Sequence, residues 1–202
     1  MSDPRMSKLL DNIDADNLPI KSFDDITQMQ RELYQHYKGH NEKCNDNEFM
    51  CQQMVLAIID EAAEYYGWVN QNNMVEAMFE AIDLYHFALE GLLILEPHIR
   101  KYNPSIIYYA DRHIINQCSH VLSNINWKHW KKPMQKEHVE AAHAFMKLCD
   151  IAYSMFAQSY IRAYGGGVTD IELIDVKHLE HKFFIFYYAK NRENYNRQRR
   201  GY

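Results

Sequence analysis

Apolar residues recur along this chain at intervals of three and four, in stretches far longer than a strand, and that period predicts helices. Ser22, followed by Asp24 and Asp25, reads as the N-cap of a helix that runs to about Tyr37 and stops at Gly39. A second helix is predicted from Asn47 to about Trp68, and a third from about Asn73 to Leu95 across an Asn/Gln-rich break. Pro97 and Pro104 bracket a turn, after which Ile106, Tyr109, Ile114, Ile115 and Val121 predict a helix over Ser105 to Ser123. Another should span Gln135 to about Tyr164. Gly165, Gly166 and Gly167 disfavour any helix and predict a hinge over 165–168. Thr169 with Glu172 has the form of a capping box for a last helix reaching about Asn196. Residues 1–20, rich in Asp and Asn with Pro4 and Pro19, read as a flexible N-terminus apart from a short helix around Met6 to Ile13.

Only seven Gly and five Pro in 202 residues, with 47% apolar residues, agree with an all-α protein whose residues 21–202 form one domain. A net charge of −5 argues against a general nucleic-acid binder, so the basic cluster Lys190, Arg192, Arg197, Arg199 and Arg200 calls for a local explanation. The cysteines at 44, 51, 118 and 149 form no C-x-x-C pair, and no signal-peptide pattern is visible, which points to a reducing cytoplasm. The most apolar stretch, Phe87 to Leu95, is interrupted by Glu90 and Gly91 and falls short of the roughly twenty residues a membrane span needs.

Candidate chemistry lies in four carboxylates. Glu61 with Glu64, and Glu80 with Asp83, are two i, i+3 pairs on the second and third predicted helices. Residues at that spacing sit roughly 5–6 Å apart on one helix face. Two such helices packed together converge four negative charges at the edge of a core, and a hard cation with oxygen ligands relieves the repulsion. On the last helix Lys190, Asn194 and Arg197 fall at i, i+4 and i+7, one stripe of donors.

These features together resemble the all-α NTP pyrophosphatases, and within them the dimeric dUTPase branch that includes phage dCTPase-dUTPase enzymes. The resemblance rests on Asp-Glu-Ala-Ala-Glu at 60–64, Glu-Ala-Ile-Asp-Leu-Tyr-His-Phe at 80–87, and the run at 190–202, which reproduces K-N-x-x-N-x-x-R-Q-x-x-G-Y without a gap. Ile26, Met29, Gln30 and Leu33 are also similar to the family's first helix. The resemblance implies that Glu61, Glu64, Glu80 and Asp83 hold Mg²⁺, that Glu64, or else Glu61, orients or deprotonates the attacking water, and that Lys190, Asn194, Arg197 and Tyr202 contact phosphate. It places Gln30 near the base or sugar. It further implies a homodimer that hydrolyses a pyrimidine deoxynucleoside triphosphate, dUTP first and dCTP or a modified pyrimidine next, to the monophosphate and pyrophosphate. A broader MazG-like pyrophosphatase is the neighbouring alternative. Cleavage of a phosphoanhydride independently calls for charge neutralisation and a polarised nucleophile, and the glycine hinge would let the phosphate-binding stripe close as a lid.

The chain departs from the family where an aromatic-basic run between the acidic pairs is replaced by Trp68 and a short polar loop. Trp127, Lys128, His129, Trp130 and Lys131 form such a run later, with Gln117 and His120 before it and Lys147 and Asp150 after it at the template's ligand positions. Either residues 105–164 are an insertion containing a degenerate copy of the two-helix half-site, without its ligands, or the run is coincidence. Rivals from other classes are a non-catalytic helical module and a di-iron carboxylate protein built around Glu140 and His143.

Overall fold

Ser22 caps the first long helix in the manner its position predicts. Its hydroxyl accepts from the Asp25 amide at 3.3 Å and donates to the Asp25 carboxylate at 2.9 Å, which also accepts from the Lys21 amide at 2.8 Å. The computed structural model describes residues 5–38, 42–97, 102–107, 113–128, 131, 138–165 and 175–200. Its helices are α1 (Arg5–Asp11), α2 (Phe23–Lys38), α3 (Asn47–Asn70), α4 (Met74–Leu95), α5 (Ile114–Ser123), α6 (His138–Tyr164) and α7 (Val176–Arg199), with short 3₁₀ turns at Ala15–Asn17 and Glu42–Asn45. No strand occurs among the described residues. The all-α expectation holds.

Helix α4 is the axis of the bundle. Apolar residues surround it, and it is buried on almost every face, with α3 and α6 packed along it and α2 and α7 against it. Asp46 caps α3 through two amides, at 3.0 Å each to Glu48 and Phe49. The tight turn Gln71–Asn73 then reverses the chain, so α3 and α4 run antiparallel. Asn72 takes φ 58° there, a left-handed conformation that asparagine tolerates. Where α4 meets α6, Gly91 leaves no room for a side chain, because a Cβ would run into the Phe145 ring. Helix α7 is anchored by Phe183, whose ring meets Tyr85 and Tyr153 edge-on at 5.0 Å and Phe156 at 5.2 Å. The aromatic residues of 183–187 are therefore core.

Two boundaries differ from expectation. The helix predicted from Ser105 begins at Ile114, and residues 102–107 form no helix. The reason is competition for backbone donors: Ser105 N–H donates to Asp150 at 2.7 Å and Ile107 N–H to the Ser154 hydroxyl at 2.8 Å. At the last helix the cap is Asp175, which accepts from the Lys177 amide at 3.0 Å, and the helix continues past Asn196 to Arg199. The proposed capping box at Thr169 and Glu172, like Gly166, Gly167 and Tyr202, lies outside the described residues. Gly165 still donates to Ile161 as the end of α6, at 2.7 Å. All four cysteines are buried and unpaired. No helix among the described residues is long and apolar enough to cross a membrane.

Candidate active site

The antiparallel pairing of α3 and α4 brings three of the four carboxylates together. One oxygen from each of Glu61, Glu64 and Glu80 lies within 4.8 Å of the others. Glu80 is buried, Glu61 partly so, and Glu64 exposed. Burial first, then the neighbouring acids Asp83 and Glu80, pushes the Glu61 carboxyl up to about 9. Glu80 is also raised, chiefly by burial and by Asp83, although it accepts from the Trp68 indole N–H at 3.0 Å. Lys190 lowers both groups, but its charge does not offset burial and the neighbouring acids. An all-oxygen set of this kind suits a hard divalent cation such as Mg²⁺ and offers nothing to a soft one.

Asp83 is placed differently. Its Oδ2 forms a buried ion pair with the Lys190 ammonium of α7. Burial raises the Asp83 carboxyl, and the contact with Lys190 opposes that rise. The fourth acid of the sequence pattern thus joins the acidic cluster to the basic stripe. Arg197, two turns further along α7, is exposed and pairs within its own helix to Glu193 at 3.2 Å.

Glu61 and Asp83 border a cavity of about 460 Å³ that is also lined by Lys190, Asn194 and Arg197. Gln30 lines it from α2, and Leu33, Met50, Met54 and Phe87 give it an apolar side. Every described residue predicted to touch substrate therefore faces one space. Charged groups gather where α3 and α4 carry their acids. Apolar ones lie toward the N-terminus of α3 and the C-terminus of α4, as the antiparallel pairing requires.

His86 and Glu90 belong to the same wall and were not among the predicted site residues. His86 donates from Nδ1 to the Ile82 carbonyl at 2.9 Å, and burial pushes its pKa down to about 3, so the ring is neutral. It stacks on Tyr187 at 4.2 Å. Burial pushes Glu90 up to about 8, against the hydrogen bond from Gln30. The signal was present: Glu90 interrupts the most apolar stretch of the chain and stands seven residues after Asp83, on the same helix face. Trp68, which donates to Glu80, was marked in the sequence only as standing where the family's aromatic-basic run would lie.

In the other half of the bundle, Asp150 is buried and accepts from the Tyr102 hydroxyl at 2.8 Å as well as from Ser105, with Lys147 at 3.4 Å. Gln117, His120, Glu140 and His143 line a separate cavity of about 400 Å³ with Lys147, and none joins the carboxylate cluster. Lys128 rests over the Trp127 ring at 5.0 Å, and Lys131 is exposed; His129 and Trp130 lie outside the described residues.

Comparison of the chain with family models, with curated proteins and with solved structures finds no match in any of the three.

Proposed function

We propose that this protein is a Mg²⁺-dependent pyrophosphatase of the all-α NTP pyrophosphatase type, hydrolysing a pyrimidine deoxynucleoside triphosphate to the monophosphate and pyrophosphate. One observation carries the reading: acids of α3 and α4 and the Lys190, Asn194, Arg197 stripe of α7 line one cavity that also has an apolar side. A triphosphate needs the first two groups and a base needs the third. The sequence resemblance supports the same assignment and ranks dUTP before dCTP.

Glu61, Glu64 and Glu80 would hold the metal, with Asp83 completing the set when Lys190 releases it. Mg²⁺ there would supply charge neutralisation for the phosphates and polarise the attacking water. Glu64, the most exposed of the cluster, or else Glu61, would receive that water's proton, as the resemblance implies. Lys190, once it leaves Asp83, would donate to a phosphate oxygen. Arg197 offers its free guanidinium nitrogens at the open side. Residues with these roles also imply a homodimer only through the resemblance.

The test is pyrophosphate release by the purified protein from the four common dNTPs, dUTP, modified-pyrimidine dNTPs and ribonucleotides, with Mg²⁺ and with EDTA. Mg²⁺-dependent release confined to pyrimidine deoxynucleotides is the expected result. No release from any nucleotide would overturn the assignment and leave a non-catalytic helical module.

A further inference from the structure

The wall formed by His86 and Glu90 has two open hydrogen-bonding positions. The first is His86 Nε2. A backbone carbonyl can only accept, so the bond to Ile82 fixes the proton on Nδ1 and leaves a lone pair on Nε2, which is buried and has no partner. The second is Glu90 Oε1, also buried and without a partner. Its sister oxygen is occupied. The Tyr187 hydroxyl donates to Gln30 Oε1 at 2.8 Å, which turns the Gln30 amide so that its Nε2 donates to Glu90 Oε2 at 3.0 Å.

Orphaned polar atoms this deeply buried are costly unless something fills them. His86 and Glu90 are each 3% exposed, lie one turn apart on α4, and both line the cavity. Glu90 stands about 10 Å along the helix from Asp83, given a rise of 1.5 Å per residue, on the side where the apolar residues lie. That is where a base would rest if its phosphates met Lys190.

We propose that His86 and Glu90 read the base edge, and that they select a pyrimidine bearing an amino group, as cytosine does, over uracil. This deepens the nucleotide-hydrolase reading and rests on it. A donor facing Oε1 favours the ionised form of Glu90, and both open atoms then accept from a bound base. An exocyclic amino group carries two hydrogens to give. Uracil has one N–H flanked by two carbonyls, and those carbonyls would face acceptors. A carboxylate accepting from the cytosine amino group is a recurrent pairing. The order of substrates suggested by sequence resemblance is thereby reversed.

The test compares calorimetric binding of dCMP and dUMP to the wild-type protein and to Glu90→Gln in Mg²⁺, beside pyrophosphate release from dCTP and dUTP. The wild type should bind dCMP at least about tenfold more tightly, the discrimination expected of a good base-edge pair. In Glu90→Gln the Gln30 amide still demands an oxygen, so the new side chain turns its NH₂ toward the cavity. The dCMP preference should then vanish or invert, in a variant whose circular dichroism melt shows it folded. Equal binding of the two by the wild type overturns the proposal without any variant, as does an undiminished preference in Glu90→Gln. Turnover of dUTP and dCTP at equal rates with equal binding would leave the hydrolase assignment standing while removing this one. If neither nucleotide binds or turns over, both fall.

Discussion

Glu61 on α3 and Glu80 on α4 bring carboxyl oxygens within 4.8 Å of each other, and burial raises both groups, so together they favour a proton wherever no cation lies between them. Such a proton occupies ground that a cation would otherwise take. The Glu61 group is held at about 9, well above its unfolded value of 4.5. A carboxyl raised on folding binds more protons in the native state, so its contribution is full below about 4.5 and is lost as pH rises toward 9.

The first prediction follows from that sign. In EDTA the melting temperature should fall as pH rises from 5.5 to 8.5, and Glu61→Gln should flatten part of that fall. Mg²⁺ should raise the melting temperature most at the alkaline end, where it no longer competes with the proton. A metal effect that is absent or independent of pH, read by thermal melts across the series, would count against a cation at this cluster.

Glu61→Gln and Glu80→Gln should each lower kcat by at least ~10²-fold, the scale of losing one group that stabilises developing charge. Neither should unfold the protein, since each removes repulsion. Steady-state pyrophosphate release together with a melt decides it, and full activity in either variant would sink the assignment.

The buried pair of Asp83 and Lys190 predicts a double-mutant cycle. Removing one partner strands the other in the core, so Lys190→Met should destabilise by about 3–5 kcal/mol, and Asp83→Asn by a similar amount. Asp83→Asn combined with Lys190→Met should recover most of that loss, because two neutral groups need no compensation. Urea denaturation of the four proteins measures the coupling, and simple additivity would refute it.

Arg197 is exposed and its pair with Glu193 is a surface contact. Arg197→Ala should leave stability nearly unchanged, within about 0.5 kcal/mol, and act on triphosphate binding. A KM increase with kcat little altered is the expected split; a loss of kcat alone would place Arg197 in the chemical step.

Gly91 predicts a packing defect. Alanine in a helix interior gains roughly 0.5–1 kcal/mol over glycine, yet here the methyl meets the Phe145 ring. Overpacking costs of about 1–3 kcal/mol should win, so Gly91→Ala lowers stability. Adding Phe145→Leu should restore part of it, as denaturation of the single and double variants would show.

How far the sequence foretold this arrangement depended on whether the signal was local. Helical period, and the cap at Ser22, are properties of a few adjacent residues, and α2, α3 and α4 closely match the bounds they predicted. The acidic pairs and the Lys190 stripe were legible because i, i+3 and i, i+4 spacing fixes a face before any tertiary contact exists. That Asp83 answers Lys190 and not the acidic cluster was invisible, since it depends on how α7 lies over α4. The loop at 102–107 failed for the same reason: its amides are claimed by Asp150 and Ser154, nearly fifty residues away. Glu90 was readable from its heptad distance to Asp83, but only once a buried stripe on α4 was being sought.

The ion pair between Asp83 and Lys190 sets up a trade. An anionic group that draws the ammonium toward itself loosens an oxygen that a cation can use, and a cation that claims Asp83 frees Lys190 for an anion. Thermodynamic linkage makes that assistance equal in both directions. A protein built this way would hold metal weakly by itself and triphosphate weakly by itself, and bind the two firmly only as one charge-balanced unit. Metal affinity measured without nucleotide would then understate the affinity that operates during turnover.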